Sequence, residues 1–264
     1  MKMKITSDLF HAYLKCSTKC WLRATNEPAT ENDYPKWVKA QNQSYRAAEV
    51  ARVVAASPTK EIAHSPDLKN VNTASWRLAT NLMTNAQLDS NVLETDLHAV
   101  QLVPAKVRSP VRLIPIRFIF TNKLDKNDKL LLTFDALTLS KSVGREISVC
   151  KIIHGDNHAT SMVKVSTLVG EVQRRIDKMA VLLNSSAPPE LILNRHCTEC
   201  EFQTRCRNEA TQQDDLSLLS GMTAKERKKL NSRGTFTVKQ LSFAFCRVAG
   251  PRRCATSRRD ITIH

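Results

Sequence analysis

The chain is short of glycine, of aromatic side chains and of acid, and each shortage excludes something. Six glycines in 264 residues leave no glycine-rich loop of the kind that cradles nucleotide phosphates, which excludes an ATP-driven motor. Aromatics make up only 5% of the sequence, so base stacking over many positions is not the obvious binding mode. Against 40 lysines and arginines stand 25 acids, a formal charge of +15, and a polyanion is the natural partner. Apolar runs stop well short of the ~20 residues that cross a bilayer, so no membrane is expected among its partners. The opening Met1-Lys2-Met3-Lys4-Ile5 lacks a signal-peptide hydrophobic region, and a cytoplasmic location follows as the expectation.

Cysteine is what the chain has in quantity. Eight thiols in such a chain point to metal binding and not to a disulfide framework. Three fall within ten residues, Cys197, Cys200 and Cys206, and Cys16 lies near the other end with Cys20 close behind. Thiolates are soft ligands that suit Zn²⁺ or iron–sulfur clusters, whereas Mg²⁺ and Mn²⁺ prefer carboxylates. Structural zinc sites usually come as two close ligand pairs, while a triplet plus a distant single thiol suits a cubane cluster better. His196, beside Cys197, keeps zinc in play, and buried thiols without a metal are the plain alternative.

The pattern along the chain reads as α/β. Thr6-Ser7-Asp8 offers caps for a helix bearing Leu9, Phe10, Tyr13 and Leu14. Residues 36–56 are amphipathic with a basic face, and residues 73–88 read as a further helix. Residues 91–103 alternate loosely, and 111–120 is the strongest strand signal, with Pro115 marking an edge, bulge or break. A leucine-rich helix over 125–142 ends at Gly144, a strand over 147–153 pairs with 162–165 as a hairpin, and 172–183 is helical. Pro188-Pro189 then stops the chain ahead of the cysteines.

Taken together, the early cysteine after a leucine-bearing helix, the strand–helix–strand centre, the Pro-Pro stop and the cysteine triplet resemble RecB-type nucleases of the PD-(D/E)XK superfamily. The resemblance is narrower to the iron–sulfur members, which include the CRISPR-associated RecB-like exonucleases. It extends to Lys129-Leu-Leu-Leu-Thr-Phe-Asp-Ala-Leu137, the turn Lys151-Ile-Ile-His-Gly155 and the segment from Asp214 to Met222, and covers roughly residues 5–243. It implies a restriction-endonuclease-like mixed sheet flanked by helices over residues 1–210. A helix-hairpin-helix-like module over 211–245 and a basic, disordered tail over 246–264 would follow. It also implies a four-iron, four-sulfur cluster on Cys16, Cys197, Cys200 and Cys206, with Cys20 as substitute for Cys16. The function implied is DNA binding and processing, as a Mg²⁺- or Mn²⁺-dependent exonuclease. The alternative is a catalytically inactive nuclease-fold module that binds DNA or acts as a scaffold, beside a helicase or RNase H-like domain that does the chemistry.

The catalytic pattern is where this sequence departs from the family. Such nucleases need an Asp, then acid-x-Lys on the next strand, so that the acids hold the metal and the lysine positions water. The strand that should carry it, Leu113-Ile-Pro-Ile-Arg-Phe118, has no carboxylate. Asp96 is the candidate first acid, with Glu94 on the same strand face. Lys151 and Asp135 are the other tempting pair, but Val149 stands two residues before Lys151. His154 and His158 flank a glycine turn and are candidates for chelation or proton chemistry.

Beyond the cysteines, glycines 221 and 234 fall at joints between short helices. Lys225, Arg227, Lys228, Lys229 and Arg233 surround them as candidate DNA contacts. A helical cap packed on the core is the competing reading. The last twenty residues read either as a basic arm or as a chain shortened relative to longer relatives.

Overall fold

The computed structural model describes residues 3–29, 32–68, 71, 73–104 and 111–249, with side chains as far as residue 244. The chain divides into two compact units, one of residues 1–27 and 33–189, the other of residues 28–32 and 190–264. The division falls after Pro189, so the cysteine triplet lies in the same unit as the C-terminal helices. The expected tail from residue 246 lies almost wholly outside the described residues.

The first unit is α/β, a mixed seven-stranded sheet with helices on both faces. In chain order it runs β1 (Met3–Thr6), α1 (Ser7–Lys15), α2 (Ser17–Ala24), α3 (Asp33–Ala55), β2 (Ile62–His64), β3 (Leu78–Leu88), β4 (Asn91–Val103) and β5 (Arg112–Ile119). Then follow α4 (Lys126–Val143), β6 (Val149–His154), β7 (Ala159–Lys164) and α5 (Val169–Asn184). Spatially the order is β2-β3-β4-β5-β6-β7. Strand β3 occupies one edge of β4, so β1 and β5 share the other edge, β1 beside residues 91–94 and β5 beside 99–103. Strands β5 and β6 are parallel, which demands a long crossover, and α4 provides it.

Helix α4 is legible from its ends. Asp125 caps it through a reciprocal box with Asp128, both bonds at 2.9 Å, and Gly144 closes it in the left-handed conformation at φ 66°. Its residues 130–139 are all buried, the signature of a helix with protein on every side. Leu132, Ala136 and Leu139 pack on the sheet; Leu130, Phe134 and Leu137 pack on α1 and α5 through Phe10, Leu14, Ile176 and Met179. The rings of Phe10 and Phe134 stack at 4.6 Å. On the opposite face of the sheet α3 lays Tyr45, Val50, Val53 and Val54 over Ala99, Ile116, Phe118 and Ile153.

Two sequence expectations change. The stretch 73–88 is not a helix: from Leu78 it is strand β3, paired antiparallel with β4 from Leu78↔Gln101 to Leu88↔Asn91. Its in–out alternation slips by one at Asn81, whose φ is 54°, and β4 slips opposite it. That puts Ala79 and Leu82 on one face, a spacing of three that mimics a helix. Pro115 sits inside β5 opposite Val100, and β6 lies alongside only from Ile116 onward, so the proline marks where the pairing on that side begins.

The second unit holds α6 (Gln203–Gln212), α7 (Ala224–Asn231) and α8 (Val238–Ala249). Thr223 and Glu226 form a capping box at α7. Gly221 and Gly234 both take φ of 80° with open space where a side chain would go, as sharp joints between short helices need. Asp214 ties the start of α8 back, its carbonyl accepting from Val238 N–H at 2.9 Å and its carboxylate from Lys239 N–H at 2.8 Å.

Candidate functional site

On the α3 face of the sheet, β4 presents Glu94 and Asp96. Both oxygens of Asp96 accept from one guanidinium, that of Arg46 on α3, at 2.5 and 2.9 Å. Arg46 also reaches Asn81 Oδ1 at 3.3 Å, the residue at which β3 slips. Glu94 accepts from Lys4 Nζ at 2.9 Å. A planar fork set against a carboxylate neutralises the charge and occupies the lone pairs that a divalent cation would use. Arg46 also lines a cleft of about 470 Å³ between α3 and the β2–β3 edge, with Val50, His64 and Asn81.

Lys151, on β6, faces α3 as well, but its Nζ donates to Gln101 Oε1 at 2.6 Å. Strand β5 lies between it and Asp96, and on that face it carries the buried Ile116 and Phe118. The structure therefore gives Asp96, Glu94 and Lys151 three separate partners. His98, two residues on along β4, is half-buried; desolvation first, then Arg117 and Arg46, holds its pKa well below the usual histidine range. Its Nδ1 accepts from Phe118 N–H at 3.1 Å, as a neutral ring can.

Asp135 lies on the other face of the sheet, within α4. It is 1% exposed, accepts from Thr95 Oγ1 at 2.5 Å, and is paired with Arg117 Nε at 2.8 Å and Nη2 at 2.7 Å. Burial raises its pKa, and Arg117 and Thr95 only partly offset that. The geometry is that of a core ion pair, hydrogen-bonded through Arg117 Nε, with Nη2 close to the carboxylate but outside hydrogen-bonding geometry. Asp135 and Lys151 do not meet: they sit on opposite faces of the sheet.

The two turn histidines also part company. His154 Nε2 meets Ser161 Oγ at 3.2 Å, while His158 Nδ1 lies 2.6 Å from Oε1 of Glu49, a carboxylate only 1% exposed that is held as well by Arg52. Arg46 and Glu49 are the residues that sequence reading missed. Glu49 carried a signal, since it interrupts the apolar stripe of α3 between Tyr45 and Val53. Arg46 read only as part of a solvated basic face.

Among the thiols, Cys16 is half-buried at the junction of α1 and α2 in the first unit. Cys20, the substitute ligand, is fully buried among Phe10, Leu93 and Phe134, and burial pushes its thiol up to about 12. That is the setting of a core residue. In the second unit Cys197 begins a short 3₁₀ turn that ends at Cys200, and Cys206 is buried on α6. Cys197 Sγ accepts from Asn194 N–H at 3.2 Å, the kind of bond that suits a thiolate ligand, so donor chemistry fits a soft metal centre. Among the described residues no three His, Cys, Asp or Glu side chains converge as a group able to hold a metal ion.

On α7, Lys225, Lys228 and Lys229 are exposed, as is Arg233 just beyond. Arg227 is turned inward: it is 8% exposed and its Nη2 reaches Asp215 at 2.9 Å and Glu190 at 2.8 Å. Its role is to hold the helix to Asp215, not to reach a phosphate. No helix among the described residues is long and apolar enough to cross a membrane.

No family model matches the sequence, and no curated protein matches it. Among solved structures the chain is similar to the crystal structure of SSO0001, at 12% identity and a TM-score of 0.39, over 79% of this chain and 87% of that one. A likeness of that depth carries no argument about activity.

Proposed function

We propose that this chain is a DNA-binding module on a RecB-type, restriction-endonuclease-like sheet whose hydrolytic site is silent. One observation carries the second half of the reading: Arg46 takes up both oxygens of Asp96. The neighbouring strand β5 offers apolar Ile116 and Phe118 where the second acid and the lysine would be needed. Metal-dependent hydrolysis requires a cation held by two acids against the scissile phosphate, and here the first acid is neutralised and the second missing. The run β5–α4–β6 and the charge of +15 support the nuclease-like fold and the polyanion partner respectively. Lys225, Lys228, Lys229 and Arg233 are the proposed phosphate contacts, and chemistry on the DNA falls to another domain or subunit, a helicase or RNase H-like partner. By the same resemblance, Cys197, Cys200 and Cys206 with Cys16 would hold an iron–sulfur cluster, whose contribution is structural.

The test is a Mn²⁺ titration followed by electron paramagnetic resonance, alongside DNA binding with and without EDTA. The wild type is expected to bind DNA equally well in EDTA and to show no Mn²⁺ site that Asp96→Asn removes. A Mn²⁺ signal lost in Asp96→Asn would overturn the silent-site reading.

A further inference from the structure

The sequence holds few aromatics, yet three of them meet at one surface of the first unit. Tyr34 and Trp37, three residues apart in the first turn of α3, stack with ring centroids 5.9 Å apart and planes at 23°. Trp37 meets Phe120, just past the end of β5, edge-on at 6.2 Å and 89°. Tyr34 is 48% exposed and Trp37 50%, although the core would gain from burying either. Lys36 and Lys39 are exposed beside them on the same helix, with Asp33 3.6 Å from Lys36 Nζ. Half-exposed aromatic faces interleaved with lysines are a stacking platform with phosphate anchors, the chemistry by which single strands are held without regard to sequence.

We infer that Tyr34, Trp37 and Phe120 form a platform on which unpaired bases of single-stranded DNA stack, with Lys36 and Lys39 on the flanking phosphates. The inference rests on the DNA-binding reading above and adds which form of DNA is taken. Paired bases are stacked already and cannot lie on Trp37, so the platform prefers single strands. It also places strand contact on α3, the helix that carries Arg46, and not only on α7.

The experiment measures anisotropy of a labelled twenty-nucleotide thymidine strand, an abasic strand of the same length and a duplex, with the full chain and with Trp37→Ala, Trp37→Phe and Tyr34→Ala. Removing one stacked base is expected to weaken thymidine-strand binding about tenfold in Trp37→Ala, with Trp37→Phe recovering most of it. The abasic strand is expected to bind weakly to all four proteins alike. Trp37 is the exposed tryptophan of the three, Trp76 being buried, so the thymidine strand should quench intrinsic fluorescence in the wild type and not in Trp37→Ala. Trp37→Ala within twofold of wild type on the thymidine strand, or losing as much on the abasic strand, overturns the platform while leaving DNA binding in place. No binding to any of the three nucleic acids sinks the DNA reading itself. A molecular mass by light scattering that doubles in the wild type and returns to monomer in Trp37→Ala would assign the face to a second copy of the chain and overturn the platform.

Discussion

Arg117→Met removes a guanidinium from the core while keeping much of its aliphatic bulk, and the consequence can be worked from the geometry. The Asp135 side chain is 2% exposed and that of Arg117 12%, so neither is solvated when its partner leaves. Burial alone already raises the pKa of Asp135 against the pull of Arg117 and Thr95, which means the pair is no strong net source of stability. Breaking it is another matter, because a carboxylate is left with only the Thr95 hydroxyl. Removing one member of a buried pair costs about 3–5 kcal/mol. With a urea dependence near 2 kcal/mol per molar, that lowers the unfolding midpoint by roughly 2 M. All three tryptophans, Trp21, Trp37 and Trp76, lie in the first unit, so tryptophan fluorescence follows that unit's unfolding alone. The double variant Arg117→Met, Asp135→Leu replaces both charges with apolar groups and is expected to recover most of the loss. A midpoint shift below about 0.5 M for Arg117→Met, or a double variant no better than the single one, would refute the structural assignment of Asp135.

Other consequences follow from the second unit. Burial by itself would raise the pKa of Asp215, but its bonds to Arg227 and Ser217 outweigh that and hold it below the usual carboxylate range. A depressed folded pKa contributes stability that is present above the unfolded carboxylate pKa and is lost as pH falls through the folded one. The protection factor at Val238 N–H, bonded to Asp214 and referred to the intrinsic exchange rate at each pH, should therefore fall on acidification in the wild type and much less so in Asp215→Asn. An unchanged acid response in Asp215→Asn would contradict this. Lys228→Ala with Lys229→Ala should lower the slope of log affinity against log salt by about two phosphates' worth, whereas Arg227→Ala should loosen the unit without changing the slope. Equal slope changes would return Arg227 to the DNA surface. Anaerobically purified protein should contain near four irons and four sulfides per chain, lost in Cys197→Ser but kept in Cys20→Ser. Zinc alone, or loss in Cys20→Ser, would undo the ligand assignment.

What was legible in the sequence was largely local. Asp125 with Asp128 and Gly144 marked both ends of α4, and the unbroken apolar content of 130–139 marked its burial. The β5 and β6 signals survived because their apolar runs are short and flanked by turns. Strand β3 was hidden, since Leu78, Ala79, Leu82, Met83 and Ala86 are spaced as on a helix and are mostly helix formers. Its state is decided by ten pairs with β4, and propensity yields to such pairing. Strand β1 is four residues long and reads as strand only beside β4. At the site, the missing acid on β5 was plain in the letters. The guanidinium on Asp96 was not, because fifty residues separate Arg46 from it and only the docking of α3 on the sheet joins them. The inward turn of Arg227 was hidden for the same reason, its partner Asp215 lying across a joint between helices.

On the function proposed above, this chain holds DNA without cutting it. The direct measurement is a time course of end-labelled single- and double-stranded DNA, saturated with protein, in Mg²⁺ and then Mn²⁺, beside Asp96→Ala. Bound, full-length DNA is expected in every lane, with no difference between the two proteins. Metal-dependent shortening of the DNA that Asp96→Ala abolishes would contradict it.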